Sequence, residues 1–134
     1  MKIKLIDFNG HTPIRAHYND AGADVFSPRN QIIHPGQVFT LPLGFGLALP
    51  DGYVGYVFPR SSLSARGIVC ELPPIDSGYR GEVHAIVSNV GKSSYSIKKG
   101  DRIGQLVIMP VIIPEFIYEK PAERGTGAFG SSGC

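Results

Sequence analysis

Asp76 and Tyr79 lie close together in the stretch "PPIDSGYRGEV", a carboxylate and a phenol on one short loop. The Pro-Pro-Ile entry is stiff, because each proline fixes its own φ and restricts the residue before it. Gly78 and Gly81 permit a tight bend, so the two side chains can point into one space. A carboxylate on a rigid loop suits a general base. A β-turn closed by an Asx-type bond from Asp76 fits the same residues. In "PRSSLSARG", Arg60 precedes Ser61 and Ser62 just past a strand end. A cationic fork with short hydroxyl donors suits phosphate oxygens, and a serine cap on a short helix is the alternative. "DAGADVFSP" sets Asp20 and Asp24 among small residues that keep the backbone close to whatever docks there, or that simply begin a strand. In "KKGDRIGQLVI", Gly100 and Asp101 make a turn before a strand from which Gln105 projects a neutral donor. Finally, "RGTGAFGSSG" surrounds Arg124 and Phe129 with glycine and hydroxyl residues. Arg124 could reach phosphate and Phe129 could stack on a flat ring, a contact worth about 1–3 kcal/mol. A plain disordered terminus is the alternative, but it has no need of the ring.

The elements that must hold these residues are short strands. Glycine (17) and proline (11) interrupt the chain too often for ordinary helices. In "VFTLPLGFGLAL", Phe39, Leu41, Leu43, Phe45, Leu47 and Leu49 recur with period two, which places them on one face of an extended chain. "YVGYVF", "GIVC", "EVHAIVSNV", "YSIK" and "RIGQLVIMPVII" also read as β-branched strands. The expectation is an all-β sandwich or barrel, with one short helical turn following "RSSLSAR" and no internal repeat.

Composition excludes several classes. The chain has 134 residues, of which 43% are hydrophobic and 18% charged, so it suits one globular domain. A net charge of +2 without a basic run argues against a nucleic-acid partner. The apolar stretch "LVIMPVII" is too short to span a bilayer and is broken by Pro110. Asp7 interrupts the start of the chain before a signal-like region develops. With only Cys70 and Cys134, a reducing, cytosolic setting is expected, or the host-cell cytosol for a viral protein. His11, His17, His34 and His84 show no ligand spacing, so a protein-bound zinc site is not expected.

Taken together, in this order and at these spacings, "AGADVFSP", "PRSSL", "IDSGYRGEV", "GDRIGQLVI" and "RGTGAFGSSG" resemble the five motifs of the trimeric dUTP diphosphatase (dUTPase) family, from about Asp20 to Gly133. The resemblance implies a β jelly roll that forms a homotrimer with its active sites at subunit boundaries. It implies hydrolysis of dUTP to dUMP and diphosphate, keeping uracil out of DNA, with Mg²⁺ held mainly by the triphosphate and water. By position, Asp76 would activate the water that attacks the α-phosphorus, and Tyr79 would pack under the deoxyribose and exclude a 2′-hydroxyl. Arg60, Ser61, Ser62 and Gln105 would bind phosphate oxygens, and Asp24 would support the metal side. Arg124 would close on the phosphates, Phe129 would cover the base, and Ser131 and Ser132 would add donors. The chain would then divide into a jelly-roll domain over residues 1–123 and a loose tail over 124–134, closing over an active site of its own or a neighbouring subunit. Phosphoryl transfer needs positioning and charge neutralisation more than covalent chemistry, which agrees with these roles.

Two departures from the family pattern stand out. The stretch before the catalytic aspartate, "VCELPPID", is shorter by a couple of residues than the usual hairpin whose backbone reads uracil, and Pro73 and Pro74 occupy the approach. Proline has no N–H to donate, so backbone near Cys70 or Leu72 is expected to read the base. Ala128 stands where a glycine commonly precedes the phenylalanine. The related dCTP deaminases carry a catalytic glutamate at the position of Ile86, which cannot shuttle protons. A non-catalytic jelly-roll regulator that binds nucleotide without turnover is the other alternative.

Overall fold

The computed structural model describes residues 1–122. Nine strands and one helical turn follow in chain order: β1 (Lys4–Asp7), β2 (Ala23–Phe26), β3 (Gln31–Ile33), β4 (Val38–Ala48), β5 (Tyr53–Pro59), α1 (Ser61–Ser64), β6 (Ile68–Cys70), β7 (Glu82–Asn89), β8 (Tyr95–Ile97) and β9 (Arg102–Pro110). They form antiparallel sheets ordered β1-β4-β7-β6, β2-β9-β5 and β3-β8, a sandwich of the jelly-roll kind.

The period-two residues of β4 fill the core. Leu41, Leu43, Phe45, Leu47 and Leu49 are buried with Val25, Ile33, Val57, Ile68, Val83, Val87, Ile97 and Ile103. Their common facing survives a break in the β4–β7 ladder. Pro42 pairs with His84 and Gly46 with Glu82, so β4 carries two extra residues between those pairs. An even number of extra residues keeps the alternation in step, whereas one would turn the later leucines outward. The buried amide of Asn89 ties the end of β7 to its surroundings, donating to the Ile33 and Ser93 carbonyls at 2.9 and 2.8 Å and accepting from Gly91 N–H at 2.9 Å.

Three strands escape the sequence pattern. β1 is mostly exposed and β3 is only three residues long, so neither shows an alternation. β2 contains Asp24, which therefore sits on a strand and not in a loop. The helical turn lies within "RSSLSAR", at Ser61–Ser64, where burial of Leu63 anchors it. The last strand stops at Pro110, short of the apolar residues that follow.

Candidate active site

Asp76 is carried on a loop anchored at both ends. Gly55 of β5 and Ile75 exchange both backbone hydrogen bonds, at 3.1 and 2.8 Å, so the residue before Asp76 is tied to the sheet. Ser77 Oγ donates to Asp51 Oδ1 at 3.1 Å, and the Arg80 guanidinium donates to the Ser77 carbonyl. The turn itself is closed by Tyr79 N–H donating to the Asp76 carbonyl at 3.0 Å. The backbone therefore does the work of an Asx bond, which leaves the carboxylate exposed and available.

Tyr79 folds back along this loop and its hydroxyl donates to the Glu82 carbonyl at 2.7 Å. Asp76 and Tyr79 then share a cavity of about 280 Å³ with Thr40, Val57, Pro73, Pro74, Ile75 and Glu82, and also with His84 and Ile86 of β7. This is at the lower end of the roughly 300–1,000 Å³ usual for ligand pockets. It suits a nucleoside better than a whole nucleoside triphosphate. Ile86 lies in the wall, so the position that would need a proton-shuttling glutamate for deamination is apolar.

The phosphate candidates gather elsewhere. Asp24 pairs with Gln105 across β2 and β9, and both line a second concavity with Asp20, Gly22 and Phe58. Phe58 follows Val57 on β5 and so faces the other side of the sheet from the Asp76 cavity. Gln105 Nε2 donates to the Pro59 carbonyl at 3.3 Å, and Arg60 Nη1 to the Arg102 carbonyl at 3.3 Å. Arg102, inside the "GDRIGQLVI" stretch but not among its expected ligands, pairs with Asp24 at 3.5 Å. The N-cap of α1 is Arg60 and no side chain caps the turn, so the exposed Ser61 and Ser62 hydroxyls are not consumed in capping. A single chain thus presents Asp76 and Tyr79 on one side of β5 and Asp24 and Gln105 on the other, with Arg60 bonded to the Arg102 carbonyl and Ser61 and Ser62 on the helical turn that follows β5.

The backbone expected to read the base lies beside the Asp76 cavity. Cys70 and Leu72 line a neighbouring concavity with Glu71, Pro73 and Ile86, which adjoins the Asp76 cavity through Pro73 and Ile86. Glu71 N–H already donates to the Ile86 carbonyl at 2.9 Å. β6 pairs with β7 only at residues 87–89, so the β7 edge beside His84 has no partner strand within this sheet. Burial pushes the Cys70 thiol up to about 11, which makes it an inert wall group at neutral pH.

A metal finds few protein donors here. Among the described residues no group of three or more His, Cys, Asp or Glu side chains converges. Asp24 is one carboxylate beside one guanidinium, which fits a hydrated ion carried in by phosphate oxygens better than a protein cage. Arg124, Phe129, Ser131 and Ser132, and with them the proposed tail, lie outside the described residues.

Comparison with known proteins agrees with this arrangement. A deoxyuridine 5′-triphosphate nucleotidohydrolase of Tropheryma whipplei (strain Twist) is 42% identical, covering 99% of this chain and 96% of that protein. One from Clostridium tetani is 38% identical, with 99% and 96% covered. Among solved structures, the dUTPase from phage phi11 of S. aureus superposes with a TM-score of 0.86 at 26% identity, covering 92% of this chain and 99% of that one. A mutant of that phage enzyme coordinates a structural Mg(II) ion. The dUTPase family profile matches residues 9–133, and with these relatives it shows that the chain belongs to the dUTPase family.

Proposed function

We propose that this chain hydrolyses dUTP to dUMP and diphosphate, acting as a homotrimer on the Mg²⁺ complex of the nucleotide. The observation that carries the reading is the doubly anchored loop that presents Asp76 and Tyr79 to a nucleoside-sized cavity. The Asp76 carboxylate takes a proton from water as the water oxygen bonds to the α-phosphorus. The bond from that phosphorus to the bridging oxygen breaks and diphosphate leaves. Tyr79 packs against the sugar, and the β7 edge at His84 offers backbone groups to a pyrimidine in place of the proline-blocked loop. Arg60, Ser61, Ser62 and Gln105 hold phosphate oxygens, with Asp24 on the metal side through water. Mg²⁺ carried by the triphosphate would supply charge neutralisation there and on the diphosphate leaving group.

The division of the site between two faces of β5 supports shared sites, in which one subunit supplies Asp76 and another the phosphate ligands. Arg124, Phe129, Ser131 and Ser132 would complete such a site from a tail over residues 124–134, packed over the base and phosphates. The apolar Ile86 weighs against deamination.

Diphosphate release from dUTP, dCTP, dTTP and UTP, each with Mg²⁺ and with chelator, tests the reading. A marked preference for dUTP that chelator abolishes is expected. Equal rates across the four nucleotides, or none with dUTP, would overturn it.

A further inference from the structure

The geometry points to Glu82 as a positioning residue that sets the seat of Tyr79 and thereby the preference for a 2′-deoxy sugar; this rests on the nucleotide reading above. Glu82 acts at two places at once. Its carbonyl accepts the Tyr79 hydroxyl at 2.7 Å, and its carboxylate Oε2 accepts Gly44 N–H at 2.9 Å. Gly44 sits among the extra residues of β4, where the ladder to β7 is interrupted, with φ at 82°. Its carbonyl accepts Phe8 N–H at 3.1 Å and Gly10 N–H at 2.9 Å, and its Cα packs so closely on Gly10 that a Cβ on either residue would collide with the other. Both polar groups of this buried glycine are therefore satisfied outside the ladder, one of them by Glu82 alone.

The consequence passes to the phenol. The register of β7 against the β4 bulge fixes where the Glu82 carbonyl stands, and that carbonyl fixes the phenol oxygen. Gly81 lies directly beneath: a Cβ there would meet Tyr79 Oη at 2.6 Å and Cζ at 2.7 Å. The ring is thus held by one hydrogen bond that its hydroxyl donates to a carbonyl, and by contact with bare backbone. Removing the carboxylate orphans a buried N–H and cuts the bond that holds β7 against the β4 bulge, which leaves β7 free to shift. Exclusion of a hydroxyl by contact is sensitive to such shifts, since a misplacement of about 1 Å can change rates about 100-fold.

The experiment compares wild type, Glu82→Ala, Glu82→Gln and Tyr79→Phe. It measures Kd for dUMP and UMP by titration calorimetry, kcat/KM for dUTP and UTP, and Tm. Glu82→Ala should lower the deoxy-to-ribo preference about tenfold or more, as should Tyr79→Phe, which keeps the ring and loses its anchor. Glu82→Gln retains an acceptor oxygen and should keep most of the preference. A merely structural role would lower Tm and weaken both nucleotides alike, with the ratio unchanged, and that result would overturn the inference. So would a Glu82→Gln variant as unselective as Glu82→Ala. Should Glu82→Ala fail to fold, Tyr79→Phe and Glu82→Gln still decide. Failure of the wild type to hydrolyse dUTP would sink the hydrolase reading separately, because the sugar preference is also read from binding.

Discussion

Single residues contribute here through what each side chain is left free to do. Asp76 closes its turn with its backbone carbonyl, so the carboxylate is not spent on local structure. Asp76→Asn keeps the shape and removes the base. Its kcat for dUTP should fall about 10²- to 10⁴-fold, the usual worth of general base catalysis, while nucleotide affinity measured by calorimetry stays within a few-fold. Cys70 illustrates the opposite case. Its thiol is raised from 9.0 to about 11 by burial, so the folded protein disfavours the thiolate. The sign follows directly. Below pH 9 both folded and unfolded chains hold the proton and nothing is lost. Between about pH 9 and pH 11 the unfolded chain releases it first, and stability falls. Urea midpoints across that window should drop more for the wild type than for Cys70→Ser, and alkylation of Cys70 at pH 8, read by peptide mass, should be far slower in the native protein than after unfolding.

Elements set how accurately those residues are held, and here glycines separate two kinds of constraint. Gly44 has φ at 82° and its Cα packs against Gly10, so Gly44→Ala combines a left-handed penalty of about 1–2 kcal/mol with overpacking of about 1–3 kcal/mol. Gly36 has a similar φ of 79° with nothing within 4 Å of an added Cβ. Gly36→Ala should therefore cost only about 1–2 kcal/mol. Chemical denaturation of the two variants checks the difference, and equal losses would mean that the Gly10–Gly44 contact gives way easily. The same contrast explains what could be read before the fold was known. The β4 leucines announce their strand because one face is wholly buried, and the paired insertion keeps that alternation intact. The bulge itself leaves no mark, since it preserves the pattern from which it would be inferred. β1 and β3 are short or exposed and carry no periodic signal. Asp76, Tyr79, Arg60 and Gln105 were legible as polar residues that a strand framework does not need. Glu82 was not, because at the head of a strand it looks like an ordinary solvent-facing charge. Its role depends on a partner, Gly44, 38 positions away in the chain.

At the scale of the whole molecule, the segment after β9 raises the question that one chain cannot answer. Val111, Ile112, Ile113, Phe116, Ile117 and Tyr118 follow one another with no strand pairing, Ile112 at 87% and Phe116 at 90% exposure. Scattered exposed apolar residues are normal, but a run of this kind on one extended segment marks a contact surface. Each such side chain gains about 1.5–3 kcal/mol on full burial, so a few of them outweigh much of the entropy lost in ordering the segment. The placement of Asp76 and Gln105 on opposite faces of β5 bears on the same point from the side of chemistry: in the function proposed above, a second copy brings the two halves of the site together. The two observations are independent, and both are met by the homotrimer proposed above. Sedimentation equilibrium should then give three times the chain mass of 14.4 kDa. Phe116→Asp with Ile117→Asp should shift the protein toward single chains and abolish dUTP turnover together, while far-UV circular dichroism remains that of the β sandwich. Full turnover from a single-chain species would show that one copy completes its own site. An unaltered trimer in the double variant would show that the apolar segment is not what joins the subunits.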